Sequence, residues 1–170
     1  KSILSYLQDL ARPENKSQWD RMKVLVVGKE SSGKTHLLHC VQGIEFTNSK
    51  ETEGISLMSF SQSGTHLNVF DFGGRKAFYP AYEFFLSPRS LYLIVFRMDD
   101  KEYIETILYW LKITNNIDST RGTKVIVVGT HLDKVTQDQA NRITKELQQV
   151  LHENRNVARF VCVSCIKGQG

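Results

Sequence analysis

The sequence predicts an α/β protein of three layers, with helices on both faces of a six-stranded, mostly parallel sheet and one antiparallel hairpin at the sheet edge. Three observations predict it. Near-continuous apolar runs at 22–27, 91–96 and 125–128 read as strands buried on both faces. Between them lie stripes at helical spacing: Tyr103, Ile104, Ile107, Leu108 and Leu111, then Ala140, Ile143, Leu147 and Val150. Ser61-Gln62-Ser63-Gly64 separates two further strand-like runs with a turn signal, which makes the hairpin.

In chain order, residues 1–19 stand apart. Ile3, Leu4, Leu7 and Leu10 fall at helical spacing, and Arg12-Pro13-Glu14-Asn15-Lys16-Ser17 reads as a linker. This segment is expected to end a preceding domain, and residues 20–170 to form one domain of their own. Residues 22–27 make its first strand, 34–42 a helix, and 46–53 a polar loop. Strands at 55–60 and 66–70 form the hairpin. The stretch 78–86 is rich in aromatics: Phe84 and Phe85 are expected to pack on the sheet, and Phe78 and Tyr79 to face a partner. The strand at 91–96 leads to the stripe that begins at Tyr103. The strand at 125–128 leads to a helix opened by a capping box, Thr136 with Gln139 three residues on. Residues 160–163 make the last strand, and the chain stops at Gly170 with no room for a helix after it.

Composition narrows the class. The 170 residues are 41% hydrophobic and 24% charged, as in a soluble globular domain. No apolar run approaches the length of a membrane span, and no signal peptide opens the chain, which begins Lys1-Ser2 as if excised from something longer. The net charge of +4 comes without a dense Lys/Arg run and argues against nucleic acid as a partner. Three cysteines make no disulfide framework; Cys162 and Cys165 have zinc-like spacing but no second ligand pair, so Cys162 is expected to be a buried strand residue. A reducing, cytoplasmic setting is expected.

The chemistry starts at Gly28-Lys29-Glu30-Ser31-Ser32-Gly33-Lys34-Thr35, a complete Walker A phosphate loop between a strand and a helix. Gly28 and Gly33 let the backbone curl so that successive N–H groups face phosphate oxygens, and the helix that begins near Lys34 and His36 adds its positive end. Lys34 is expected to reach the β- and γ-phosphates and Thr35 to ligate Mg²⁺. The architecture is then that of a P-loop NTPase.

Three further motifs resemble those of Ras-like GTPases in order and spacing. Asp71-Phe72-Gly73-Gly74 matches D-x-x-G: the resemblance implies that Asp71 holds Mg²⁺ through water and that the Gly74 N–H meets the γ-phosphate. Thr52-Glu53-Gly54-Ile55 resembles the first switch, whose threonine reaches Mg²⁺ in the triphosphate state. Thr130-His131-Leu132-Asp133 stands where the family has N-K-x-D. Asp133 can accept two hydrogen bonds from guanine, whereas adenine would leave it unpaired. Thr130 keeps a hydroxyl with shorter reach, and His131 offers a ring to stack on the base. Ser164-Cys165-Ile166 resembles the S-A-K loop, whose backbone N–H meets the guanine carbonyl, with its lysine absent and Lys167 one step late.

The T-H-L-D variant, with Asp71-Phe72-Gly73-Gly74-Arg75, Phe78-Tyr79 and Leu91-Tyr92-Leu93-Ile94-Val95, resembles the Roc domain of Roco proteins over about residues 20–166. That resemblance implies preceding leucine-rich repeats, a following C-terminal-of-Roc domain, often a kinase, and nucleotide-linked dimerisation. It also implies GTP or GDP with Mg²⁺ as ligands. Lys34, Gly74 and Arg75 are the candidate catalytic residues. Arg75 stands where Ras-like enzymes carry a water-orienting Gln; an arginine accepts no hydrogen bond but supplies positive charge. Glu30 places a carboxylate beside the expected γ-phosphate. Both features predict weak hydrolysis. A nucleotide-bound scaffold that never turns over, and an ATP-using P-loop enzyme, are the competing readings, the second opposed by Asp133.

Overall fold

The computed structural model describes residues 21–44, 51–62, 64–117 and 122–168. Six strands form one sheet: β1 (Arg21–Val27), β2 (Ile55–Gln62), β3 (Thr65–Phe72), β4 (Leu91–Arg97), β5 (Lys124–Thr130) and β6 (Val157–Cys162). Their spatial order is β2-β3-β1-β4-β5-β6, with β2 and β3 antiparallel and every other neighbouring pair parallel. From β1 the chain crosses to the edge strand β2 and returns as β3 beside β1, then builds outward on the other side through β4 and β5 to β6. The strand order therefore reverses beside β1, and in such a sheet the crevice for a ligand opens there, at the carboxyl ends of the strands.

Among the described residues four α-helices cover the sheet: α1 (Lys34–Gln42), the single turn α2 (Tyr79–Tyr82), α3 (Tyr103–Ile117) and α4 (Gln137–His152). Alternation along the strands makes two cores. On one face Val24, Val26, Leu93, Val95 and Ile126 meet Leu37 and Leu38 of α1. On the other Leu25, Val27, Ile94, Phe96 and Val127 meet α2, α3 and α4. The capping box that opens α4 is formed both ways: Gln139 N–H donates to Thr136 Oγ1 (3.3 Å) and Thr136 N–H to Gln139 Oε1 (2.8 Å).

Several expectations shift. The hairpin strands are longer, since Ser61 pairs with His66 and Gln62 with Thr65. Their outer face is open to water (Leu57 is 68% exposed), so polar residues that signal a turn serve equally well as strand. On α3 Leu108 is exposed, while Trp110 and Thr114 join Tyr103, Ile107 and Leu111 inside. On α4 the inward line runs Ala140, Ile143, Leu147, Leu151, passing over Val150. Strand β6 starts at Val157, three residues early, because Arg159 breaks the apolar pattern on an edge strand.

The aromatic stretch is corrected most. Tyr79 is buried, its ring 4.9 Å from Trp110, and Phe84 is 89% exposed, the reverse of what was expected; Phe85 is exposed too, against expectation, and Phe78 is exposed as expected. Tyr79 and Tyr82 share one side of a helical turn. Their hydroxyls donate to Gly74 O (3.3 Å) and Gly54 O (3.1 Å), which lets them go inside. Cys162 is half-buried rather than buried, and Cys40, Cys162 and Cys165 are free thiols. No described helix is long and apolar enough to cross a membrane. The expected helix at Ile3–Leu10, the linker at 12–17 and most of the loop at 46–53 lie outside the described residues.

Candidate functional site

The phosphate loop leaves β1 at Val27 and enters α1 at Lys34. Gly28 has φ +146°, and a Cβ there would lie 2.0 Å from the Val95 carbonyl oxygen of β4, so only glycine fits. Gly33, at φ +85°, caps α1 without any side-chain hydrogen bond. The leading N–H groups of the helix therefore stay open to an anion. Lys34 is 6% exposed, and its ammonium folds back to donate to Gly28 O (3.1 Å) and Lys29 O (2.9 Å). Burial lowers its pKa to about 8, against the opposing pull of Asp71 and Glu30. A buried ammonium held by carbonyls alone is one that a phosphate would stabilise.

Beneath the loop three oxygens converge. Thr35 Oγ1 donates to Asp71 Oδ2 at 2.6 Å, and Thr52 Oγ1 lies 3.0 Å from Thr35 Oγ1 and donates to the same carboxylate oxygen at 3.3 Å. Asp71 is wholly buried and its Oδ1 has no partner; burial pushes the carboxyl above its usual range. Two hydroxyls and one carboxylate with an unmatched oxygen form a hard-oxygen donor set, which fits Mg²⁺ completed by phosphate oxygens and water. The segment bearing Thr52 is held there by the Gly73 N–H, which donates to Gly54 O at 2.8 Å.

At the outer edge Gly74 lies flush on the loop. The Glu30 N–H donates to Gly74 O at 3.1 Å, and a Cβ on Gly74 would come within 2.1 Å of Glu30 N. The Arg75 guanidinium donates to Glu51 Oε2 at 2.8 Å and stands 3.7 Å from Glu30 Oε1. That hydrogen bond holds the Glu51 carboxyl below its usual range.

The opposite end of the cleft is formed by β5 and the segment after β6. Thr130 is 2% exposed, and its Oγ1 lies 2.7 Å from Ser32 O and 3.0 Å from Phe96 O. Its hydroxyl ties this end of the cleft to the phosphate loop. His131 takes φ +58° and sets Nδ1 2.9 Å from Thr130 Oγ1; burial lowers its pKa. Asp133 Oδ1 accepts from Ser164 Oγ at 2.6 Å, which holds the carboxyl below its usual range. Ser164 is itself fully buried, so the carboxylate is oriented from beneath.

These groups border one cleft of about 370 Å³, within the range of small-molecule sites. Glu30, Ser31, Ser32, Gly33, Lys34, Thr35 and His36 line it from the loop and α1, Thr52, Gly74 and Arg75 from one rim, and Thr130, His131, Asp133, Cys165 and Ile166 from the far end. Gly28, Lys29, Asp71 and Ser164 stand behind that lining. The Lys29 ammonium turns away to Asp100 (3.1 Å) and Glu102 (2.8 Å), leaving only its backbone at the loop. Sequence reasoning missed Glu51, Arg97 and Lys134, which also line the cleft. Arg97 ends β4 at the ligand-facing edge of the sheet, a position that signals a site whatever residue occupies it. Glu51 is one residue before Thr52.

Comparison with known proteins agrees with this geometry. The family model described as "Ras of Complex, Roc, domain of DAPkinase" matches residues 23–133. A probable serine/threonine-protein kinase, roco11, of Dictyostelium discoideum is 30% identical over all of this chain, which spans 12% of it. ADP-ribosylation factor-like protein 1 of Saccharomyces cerevisiae is 26% identical over 88% of the chain and 81% of its own length. A Roco2 RocCORdC structure from Methanosarcina barkeri, bound to GDP, superposes with TM-score 0.68 at 31% identity, covering 87% of this chain and 44% of that one. The chain spans between 6% and 14% of three Dictyostelium kinases that it matches. The phosphate loop, Asp71-Phe72-Gly73-Gly74 and Asp133 all fall inside the matched stretch, and the chain belongs to the Roc family, within the Ras-like superfamily.

Proposed function

We propose that this domain binds GTP and GDP with Mg²⁺ and hydrolyses GTP slowly, as a switch within a multidomain signalling protein. The observation that carries the reading is the meeting of the Thr35 and Thr52 hydroxyls on one buried Asp71 oxygen beside the buried Lys34 ammonium. Thr35, Thr52 and Asp71 would hold Mg²⁺, which supplies positive charge to the β- and γ-phosphates. Lys34 and the open N–H groups of the loop and α1 bind the phosphates, and Asp133 reads the guanine edge. Thr52 connects the triphosphate state to the segment that precedes β2, so ordering of that segment is the switch.

Hydrolysis is slow because Arg75 cannot accept a hydrogen bond from the attacking water, and here it is engaged by Glu51. A rate of about 10⁻⁴ s⁻¹ or below is expected, the intrinsic scale of Ras. The same ion pair favours a second reading, a nucleotide-bound scaffold without turnover. A single-turnover assay with protein in excess over GTP decides between them. Phosphate release over hours that is lost with Lys34→Ala supports the switch. GTP that stays bound and intact over the same hours supports the scaffold, and ATP that displaces GDP as well as GTP does overturns both.

Relatives whose names join Roc to COR support a flanking domain, and the rest of the setting is proposed from the family resemblance. A C-terminal-of-Roc domain after this one, leucine-rich repeats before it, a cytoplasmic location and nucleotide-linked pairing of two copies form the proposed context. Sedimentation of a longer chain with GDP and with a GTP analogue tests the pairing.

A further inference from the structure

We propose that Glu30, Glu51 and Arg75 form a latch across the γ-phosphate end of the cleft, and that this latch biases the domain toward nucleoside diphosphate. The inference rests on the nucleotide reading above and goes on to say how the same site chooses between its two ligands.

The three residues come from three different segments. Glu30 is in the phosphate loop, Glu51 precedes the switch threonine, and Arg75 follows Asp71-Phe72-Gly73-Gly74. All three line the cleft. Arg75 sits between the two carboxylates, 2.8 Å from Glu51 and 3.7 Å from Glu30. The backbone closes the same junction: the Glu30 N–H is taken by Gly74 O at 3.1 Å, and Gly74 has no room for a Cβ against the loop. The Tyr79 hydroxyl donates to that same Gly74 oxygen.

A diphosphate ends at Lys34, Thr35 and the N-terminus of α1, short of this junction. A third phosphate must enter beside it. It brings negative charge to a place that holds two carboxylates and one guanidinium, a net charge of −1. The junction's own cation, Arg75, is already paired with Glu51. Triphosphate therefore binds well only if Arg75 leaves Glu51 for the phosphate, and the two glutamates oppose that exchange. The side chains are about half exposed, at 52%, 43% and 52% for Arg75, Glu30 and Glu51, so water and salt screen the effect and keep it modest.

The test is competition of GTPγS and GDP against fluorescent GDP, with Mg²⁺, in the full chain. The reading is the ratio of the two affinities. Glu51→Gln and Glu30→Gln should each move it toward the triphosphate by about three- to tenfold at low ionic strength, less at high salt. Arg75→Ala should move it the other way, because the carboxylates then face the phosphate uncompensated. Opposite signs are the signature, since a merely structural ion pair would weaken both nucleotides together whichever partner was removed. Shifts of one sign for all three variants, or an unchanged ratio while GDP still binds, overturn the latch and leave the site reading standing. No binding of GDP by the unaltered chain overturns both.

Discussion

The two ends of the cleft solve recognition differently. At the phosphate end almost nothing is free to vary. Gly28 is pinned by the Val95 carbonyl, Gly33 by its positive φ, and Lys34, Thr35 and Asp71 by an interlocked set of hydrogen bonds. At the base end the expected residues are largely replaced. Thr130, His131, Cys165 and Ile166 stand where the wider superfamily has others, and Asp133 keeps its identity together with the buried Ser164 beneath it. The physics explains the contrast. Cradling phosphate takes positive φ values, clustered N–H groups and a buried cation, for which few residue combinations serve. Reading a purine edge takes one oriented carboxylate and a wall, and many side chains can make a wall.

The largest effect that would sharpen this contrast is at Asp133. Asp133→Asn keeps an oxygen for the Ser164 hydroxyl but puts a donor where guanine also presents donors. GDP affinity should fall on the order of a hundredfold, from two lost charge-assisted hydrogen bonds, while XDP affinity rises. Titration with GDP and XDP measures both. If GDP affinity survives intact, the carboxylate is not the base reader, and the end we call specific is only a wall.

How much of this was legible in the sequence follows the same division. The strands, their parallel order and the phosphate loop were readable because burial on both faces leaves continuous apolar runs, and because a complete Walker A motif between strand and helix rarely arises by chance. The resemblance to the first switch implied that Thr52 and Asp71 serve one metal, and the structure sets Thr52 Oγ1 3.3 Å from Asp71 Oδ2. What failed was orientation. Tyr79 and Phe84 exchanged places because helical phase in a short segment depends on where the turn begins, and Tyr79 goes inside with its hydroxyl satisfied by Gly74. The partners of Lys29 and Arg75 are 71 and 24 residues distant, and no local pattern names them.

A smaller effect tests whether the two ends are mechanically joined. Thr130 has one proton and two carbonyls within reach, with Ser32 O the nearer. Thr130→Val preserves shape but deprives the loop carbonyl of its donor. The loss of one buried hydrogen bond should weaken GDP and GTP equally, by about tenfold, without altering guanine preference over xanthine. Thr130→Asn, which restores a donor, should recover much of it. A change in base preference would instead place Thr130 on the base and dissolve the distinction between the ends.

The smallest effect concerns the nucleotide-free chain and isolates the buried ammonium. Lys34 titrates near 8 when folded and at 10.5 as a free side chain, so above pH 8 the unfolded state holds more protons at this site and stability rises with pH. The slope is at most about 1.4 kcal/mol per pH unit. The clean window is pH 8 to 9. Above 9 the Cys165 thiol, pushed up to about 12 by burial, and the Cys162 thiol, also raised by burial, work in the opposite direction, because there the folded state keeps the proton. Above 10 the tyrosines Tyr79, Tyr92 and Tyr103, also near 12, add to that decline. Urea titrations at pH 8 and 9 should show the rise in the unaltered chain and its loss in Lys34→Met, while Cys165→Ser should extend it toward pH 10. Saturating GDP and Mg²⁺ should shrink the rise, since phosphates return to the ammonium what burial takes away. A flat profile without nucleotide would show that water reaches Lys34, and the phosphate end would then be no more preorganised than the base end.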